Sequence, residues 1–151
     1  PEFNKSGIKM NFDPSGKSQR IMLDEKLFRE VFINLSQNSI AAIKAKYPEC
    51  KENSCINENV EPMFSIQSSL EDNKIVIKIS DNGCGMSEET LSKIFEPYYT
   101  TKANGTGLGM TMVYKIVKEF SGDILVDSTE NVGTTFTLSF PIPQKDTKLL
   151  A

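Results

Sequence analysis

Three short stretches of the chain carry residue types that could do chemistry. Glu30, Asn34 and Asn38 recur four apart on a segment with helical periodicity. Each step of four advances about 40° around a helix, so the three form one polar ridge beside an apolar face. Asn is a poor mid-helix residue, because its short amide competes for nearby backbone groups. Two of them here either form a solvated stripe or offer carbonyl oxygens to a hard cation such as Mg2+, which keeps several waters and takes its other ligands from phosphates. The second stretch is Ser80-Asp81-Asn82-Gly83-Cys84-Gly85-Met86, directly after an apolar run. Asn-Gly is a hairpin signal, yet a capped helix follows it where a hairpin would need a strand. The other reading holds Asp81 out at a strand end to accept hydrogen bonds from an exocyclic amine, with glycines at 83 and 85 permitting positive φ and close approach. The third is Gly105-Thr106-Gly107-Leu108-Gly109-Met110. It lacks the Gly-Lys-Ser/Thr of a Walker A loop, and its third glycine falls one residue early for a dinucleotide fingerprint. It is either a flexible loop leading into a helix or an anion site built from backbone N–H groups and the helix dipole. Thr100, Thr101 and Lys102 stand just upstream.

The elements that must position these residues can be read from periodicity. Ile8–Phe12 and Arg20–Leu23 read as short strands around the turn signal Asp13-Pro14-Ser15-Gly16. A long helix is expected from about Glu25 to Lys46, with Leu27, Phe28, Val31, Phe32, Leu35, Ala42 and Ile43 on its apolar face and Pro48 as its stop. Residues 49–61 read as an irregular polar excursion. Phe64–Leu70 and Lys74–Ser80 read as a strand pair joined through Glu71-Asp72-Asn73. Ser87 is an N-cap candidate, followed by Glu88 and Glu89 where the helix dipole favours acids; this short helix ends near Ile94. A further helix spans about Leu108 to Phe120, with Met112, Val113, Ile116, Val117 and Phe120 apolar and Gly122 as C-cap candidate. Asp123–Asp127 and Thr134–Phe140 close the set as a hairpin. Phe136, Leu138 and Phe140 alternate with Thr135, Thr137 and Ser139, giving one packed face and one polar face. This order predicts an α/β two-layer sandwich: a mixed, largely antiparallel sheet covered on one face by about three helices. Residues 1–7 read as a linker with a cloning scar, since Pro1-Glu2-Phe3 begins without Met; 8–143 as one domain; and 144–151 as a tail.

Composition narrows the function classes. The chain has 151 residues, 38% hydrophobic and 25% charged, with a net charge of −3. A chain of this size buries roughly 68–70% of its unfolded surface. The charge supplies no basic field for nucleic acid or membranes, and no apolar run approaches the roughly 20 residues that span a bilayer. The three cysteines include no CxxC pair, so neither a zinc nor a disulfide framework is expected and a reducing compartment is the default. There is no histidine, which excludes Ser-His hydrolases, HExxH metalloproteases and the HRD loop of protein kinases in this chain.

Taken together, the motifs resemble the ATP-binding catalytic domain of sensor histidine kinases, in the superfamily that also holds gyrase, Hsp90 and MutL. "FINLSQNSIAA" resembles the N box, "DNGCGM" the G1 box, "IFEPYYTTK" the F box, "GTGLGM" the G2 box and "GTTFTLSFP" the final G3-type strand, all in family order across about residues 24–141. The resemblance implies the Bergerat ATP-binding fold, ATP and Mg2+ as ligands, and transfer of the γ-phosphate to a histidine on a separate dimerisation domain of the same parent kinase, with a response regulator as the indirect partner. It implies that Asn38 ligates Mg2+, with Asn34 one turn earlier near the phosphates. It implies that Asp81 accepts the adenine amino group, with Gly83 and Gly85 shaping the pocket and Thr135 supporting the same contact. Phe95 would anchor a lid. Thr101, Lys102, Gly105, Thr106, Gly107, Leu108 and Gly109 would hold the phosphates, and Asn34, Asn38 and Lys102 would act in the transfer. Tyr98 and Tyr99 would either flank the nucleotide or pack the lid. No nucleic acid or direct membrane contact is expected, and the location implied is cytoplasmic, with a parent protein that could be membrane-anchored.

Within the superfamily, gyrase-like ATPases carry a Glu where Asn34 stands; an amide cannot act as a base, which argues for transfer to a protein over hydrolysis. Ala41 and Ala42 replace the basic and aromatic residues found in many relatives, as in a nitrogen-regulation-like subgroup with "TTK". The alternatives are an anti-sigma-factor-type serine kinase and a nucleotide-sensing module that transfers nothing.

Overall fold

A computed structural model describes residues 9–14 (backbone only), 24–48, 61–99 and 108–142. The elements run β1 (Lys9–Pro14), α1 (Glu25–Lys46), β2 (Met63–Glu71), β3 (Lys74–Asp81), α2 (Glu88–Lys93), α3 (Gly109–Glu119), β4 (Asp123–Thr129) and β5 (Gly133–Pro141). The strands form one sheet in the order β1-β2-β3-β5-β4. β1 runs parallel to β2, and every other pairing is antiparallel. This is the expected two-layer, largely antiparallel arrangement, with one correction. Lys9–Pro14 does not turn at Asp13-Pro14; β1 runs through both residues and pairs with β2. A proline that cannot donate to a ladder is tolerated at the end of an edge strand. Arg20–Leu23, residues 49–60, the N-terminal linker and the C-terminal tail lie outside the described residues.

α1 begins where its N-cap dictates. The Asp24 carboxylate accepts from the N–H groups of Lys26 and Leu27 at 2.9 and 3.1 Å, satisfying two of the donors that a helix start leaves open. It ends at Tyr47, whose N–H donates to the Ile43 carbonyl, one residue before Pro48. The face carrying Val31, Leu35, Ile40 and Ile43 is buried. It meets Phe64, Ile77 and Ile79 and the Phe136, Leu138 and Phe140 alternation of β5, with Val113, Ile116 and Val117 of α3 completing the core. Removing each such side chain from water stabilises the fold by about 1.5–3 kcal/mol. Phe28 packs edge-on against both Phe32 and Phe140.

Ser87 caps α2 as expected, its Oγ accepting from Thr90 N–H at 3.2 Å, but this helix buries none of its residues. Two expectations for α3 change. Met112 is 37% exposed, because the seam set by Val113, Ile116 and Val117 leaves residue 112 on its flank. The left-handed residue that ends α3 is Ser121, with φ 59°, and not Gly122. Gly122 donates from its N–H to Val117 O at 2.9 Å and is small for another reason: a Cβ there would lie 2.7 Å from Ser139 O and 2.8 Å from the Phe140 ring. No helix among the described residues is long and apolar enough to cross a membrane.

Candidate functional site

The site is built along one ridge of α1. Asn34, Asn38, Ala42 and Lys46 follow one another at intervals of four, and between them they meet three other parts of the fold. Asn34 donates from Nδ2 to the Glu30 carbonyl at 2.8 Å, and its Oδ1 lies 2.6 Å from the point a Cβ on Gly109 would occupy. A glycine at 109 therefore lets the start of α3 close onto the amide. Asn38 donates from Nδ2 to Met110 Sδ at 3.0 Å. Ala42 accepts from the Cys84 N–H at 3.0 Å, and a Cβ on Gly83 would lie 2.6 Å from the Ala42 carbonyl carbon. Lys46 Nζ donates to the Asn131 carbonyl at 2.8 Å. A helix surface offers residues four apart as neighbours, so one ridge gathers the start of α3, the loop after β3 and the β4–β5 turn.

The loop after β3 is held on three sides. Asn82 accepts from Met63 N–H at 2.7 Å through Oδ1 and donates to the Glu61 carbonyl at 2.8 Å through Nδ2. Asn131 N–H donates to Cys84 O at 2.7 Å, and Met86 N–H donates to Ser128 Oγ at 2.8 Å. Gly85 has φ +65°, and a Cβ there would run into the Thr129 carbonyl, so residue 85 must be glycine on two counts. The missing side chains at 83 and 85 thus admit the protein's own backbone, α1 at one and β4 at the other. The sequence reading had them leaving room for a ligand.

Asp81, the last residue of β3, points from the end of the strand toward α1. Its Oδ1 accepts from Gly83 N–H at 2.9 Å. Burial raises its carboxyl pKa above the ordinary value; the Gly83 N–H, the Ser39 hydroxyl, the Thr134 backbone and the Lys46 charge pull it back in part. Ser39 Oγ is buried and close enough to the carboxyl to exert that pull, but makes no hydrogen bond of good geometry.

Thr134 takes the place beside Asp81 that the sequence reading gave to Thr135. In the sheet register Asp81 faces Thr134, while Thr135 faces Ser80 and shares a 2.9 Å hydroxyl contact with it on the opposite side of the sheet. Thr134 is buried and lies 2.9 Å from Ser128 Oγ. Strand parity could have found it, since Phe136, Leu138 and Phe140 face the core and 134 shares their side. Asn82, Ser39 and Met110 were also missed: their partners are distant in sequence and no spacing signals them.

Phe95, expected to anchor a lid, packs against α3. Its ring stands 5.3 Å from that of Tyr114, and its carbonyl accepts from Thr111 Oγ1 at 3.2 Å. Tyr99 packs on α2, donating to Thr90 Oγ1 at 3.2 Å, whereas Tyr98 is exposed with φ 66°. Leu108 precedes α3 without giving it a side-chain cap, and the first turn of that helix, at Gly109 and Met110, meets Asn34 and Asn38. Thr101, Lys102, Gly105, Thr106 and Gly107 lie outside the described residues. A depression of about 240 Å3 touches Asp81, Thr134, Ser128 and Asp127. Neither Asn34 nor Asn38 lines it, so it does not by itself outline a nucleotide site.

The arrangement offers two kinds of recognition: a buried carboxylate that accepts hydrogen bonds, and a pair of amide oxygens at a helix start. Amide oxygens and a helix N-terminus suit a hard cation paired with phosphates, so the residues fit such a group. No cluster of three or more His, Cys, Asp or Glu that could hold a metal without phosphate occurs among the described residues.

A family model described as "Histidine kinase-, DNA gyrase B-, and HSP90-like ATPase" matches residues 23–144. The chain is 33% identical over 141 residues to sporulation kinase E of Bacillus subtilis (strain 168), a match covering 93% of this chain and 17% of that protein. It is 37% identical over 123 residues to the signal transduction histidine-protein kinase AtoS of Escherichia coli (strain K12), covering 81% of this chain and 18% of that one. It therefore spans less than a fifth of these curated relatives. Among solved structures, a nucleotide-free catalytic domain of histidine kinase ThkA superposes with a TM-score of 0.74 at 30% identity, covering 93% of this chain and 83% of that one.

Proposed function

Because the chain belongs to the histidine kinase-, DNA gyrase B- and HSP90-like ATPase family, we propose that it is the ATP–Mg2+-binding catalytic module of a sensor histidine kinase, donating the γ-phosphate to a histidine on a separate dimerisation domain. The observation that carries this reading is the α1 ridge, which sets Asn34 and Asn38 against the start of α3 while the neighbouring Ser39 flanks Asp81. Base recognition and phosphate handling then share one rigid helix.

In this reading Asp81 accepts the N–H of the base's exocyclic amine, and Gly83 N–H holds the carboxylate in place. Thr134 supports that contact in place of Thr135. Asn38 would hold Mg2+ through its amide oxygen, with Asn34 beside it; the cation, when bound, neutralises phosphate charge. The backbone of Leu108 and Gly109 faces the phosphates at the start of α3, and Thr101, Lys102, Gly105, Thr106 and Gly107 complete the cradle. Phosphoryl transfer asks little more of a protein than positioning and charge neutralisation. Asn34, as an amide, takes no proton from water, and the acceptor is a protein side chain. The partners are the histidine-bearing domain and, indirectly, a response regulator, and the module works in the cytoplasm, where ATP is supplied.

The test mixes this chain, ATP–Mg2+ and histidine-bearing dimerisation domains, and assays the phosphate formed. Acid-labile phosphate on the acceptor is expected. Acid-stable phosphate on a serine-bearing partner would favour the serine-kinase reading, and nucleotide binding with no transfer to any acceptor would favour a sensing module.

A further inference from the structure

Asn38 has two chemically different ends on one side chain. A hard cation needs the carbonyl oxygen; the NH2 end would repel it. Something must therefore fix which end faces the ligand. In this structure Asn38 spends an N–H on Met110 Sδ at 3.0 Å, which turns Oδ1 to the other side. Asn34 is fixed by a different route to the same effect, donating from Nδ2 to the Glu30 carbonyl at 2.8 Å while its Oδ1 faces Gly109. We infer that Met110 is a positioning residue for cation binding: its sulfur, as acceptor for the Asn38 amide, holds the amide oxygen toward the cation. The inference rests on the reading of Asn38 as a Mg2+ ligand.

A thioether suits this task for three reasons. It accepts a hydrogen bond but cannot donate one, so it distinguishes the two ends of the amide. It is a soft ligand with little affinity for Mg2+, so it does not compete for the cation. Its chain is unbranched and adaptable, and Met110 sits partly buried against the core, at the second residue of α3. The contact therefore also ties the ridge of α1 to the start of the helix whose first turn faces the phosphates.

The test substitutes Met110→Leu, which keeps the volume and removes the acceptor; such swaps are well tolerated in cores. Affinity for a non-hydrolysable ATP analogue is measured by calorimetry with Mg2+ and with excess EDTA, alongside the melting temperature. The ratio of the two affinities reports the cation. Met110→Leu is expected to lower that ratio by about two- to five-fold, the size of one weak hydrogen bond, with metal-free affinity and melting temperature unchanged. A ratio equal to the parent's, or an equal fall with and without Mg2+, overturns the positioning role alone. A parent whose affinity does not depend on Mg2+ overturns the reading of Asn38 on which it rests.

Discussion

Asp81 works against the stability of the domain it serves. Burial raises its carboxyl pKa, so the folded chain holds that proton to higher pH than the unfolded chain does. As pH rises from the unfolded value through the folded one, the native state loses stability through this residue, and at neutral pH the ionised carboxylate remains a cost. Asp81→Asn keeps an oxygen for the Gly83 N–H but removes the charge and turns one acceptor into a donor. The variant without ligand is expected to be more stable than the parent in urea at pH 7, with the advantage gone near pH 3, and to lose affinity for ADP. A variant that binds ADP as the parent does would remove Asp81 from base recognition. Ser121 is a second position where a residue sits uneasily. It is an exposed non-glycine residue at φ 59°, a conformation that costs L-residues roughly 1–2 kcal/mol. Part of any gain from glycine is lost to the freer unfolded chain. Ser121→Gly is expected to stabilise the domain by about 0.5–1 kcal/mol, read as a rise of roughly 1–4 °C in melting temperature. A fall would mean that the Ser121 side chain makes a compensating contact.

At the scale of elements, two glycines look alike in sequence and differ in what surrounds them. At Gly83 a Cβ would meet the backbone of α1, 2.6 Å from Ala42 C and 2.8 Å from Ile43 N, and a helix backbone cannot yield. At Gly109 it would meet only the end of the Asn34 side chain at 2.6 Å, which can rotate away. Gly83→Ala is therefore expected to cost about 1–3 kcal/mol of folding stability. Gly109→Ala should keep or gain stability, since Ala outranks Gly in a helix by up to about 1 kcal/mol, while displacing Asn34 and weakening nucleotide binding about tenfold, the scale of one lost hydrogen bond to a charged group. Denaturant titration and ADP calorimetry on both variants separate the two effects; equal behaviour would erase the distinction. The same contrast explains what the sequence could and could not reveal. α1, the β2–β3 and β4–β5 hairpins and the Ser87 cap are legible because their signals are local: a 3.6-residue period, a two-fold alternation, a capping hydroxyl. The parallel pairing of β1 with β2 was not, because it joins strands about fifty residues apart and leaves no turn signature. Asn34, Asn38 and Asp81 announced themselves as polar residues in apolar settings. What Gly83 packs against, or that Asn38 meets Met110, depends on which surfaces the folded elements bring together. Thr134 is legible from parity, since it shares the core side of β5 with Phe136 and Leu138.

At the scale of the whole molecule, the site has no single owner. Asp81 ends β3, Thr134 is the second residue of β5, Asn34 and Asn38 lie mid-way along α1, and Gly109 and Met110 begin α3. The same α1 that carries the two amides buries Val31, Leu35 and Ile43 in the core. Opening the site therefore requires separating elements whose contacts define the fold. A nucleotide that touches all four elements must bind the folded chain and have almost nothing to bind in the unfolded one. At a concentration about 100 times its dissociation constant it should stabilise the domain by roughly 2.7 kcal/mol. For a domain of this size that corresponds to a rise of roughly 5–11 °C in melting temperature. The rise should grow with the logarithm of ligand concentration for ADP–Mg2+, and Asp81→Asn should remove most of it. No rise with any adenine nucleotide would overturn the assignment of the site. A rise that Asp81→Asn leaves intact would instead mean that the phosphate end alone, at Asn34, Asn38 and the start of α3, carries the binding.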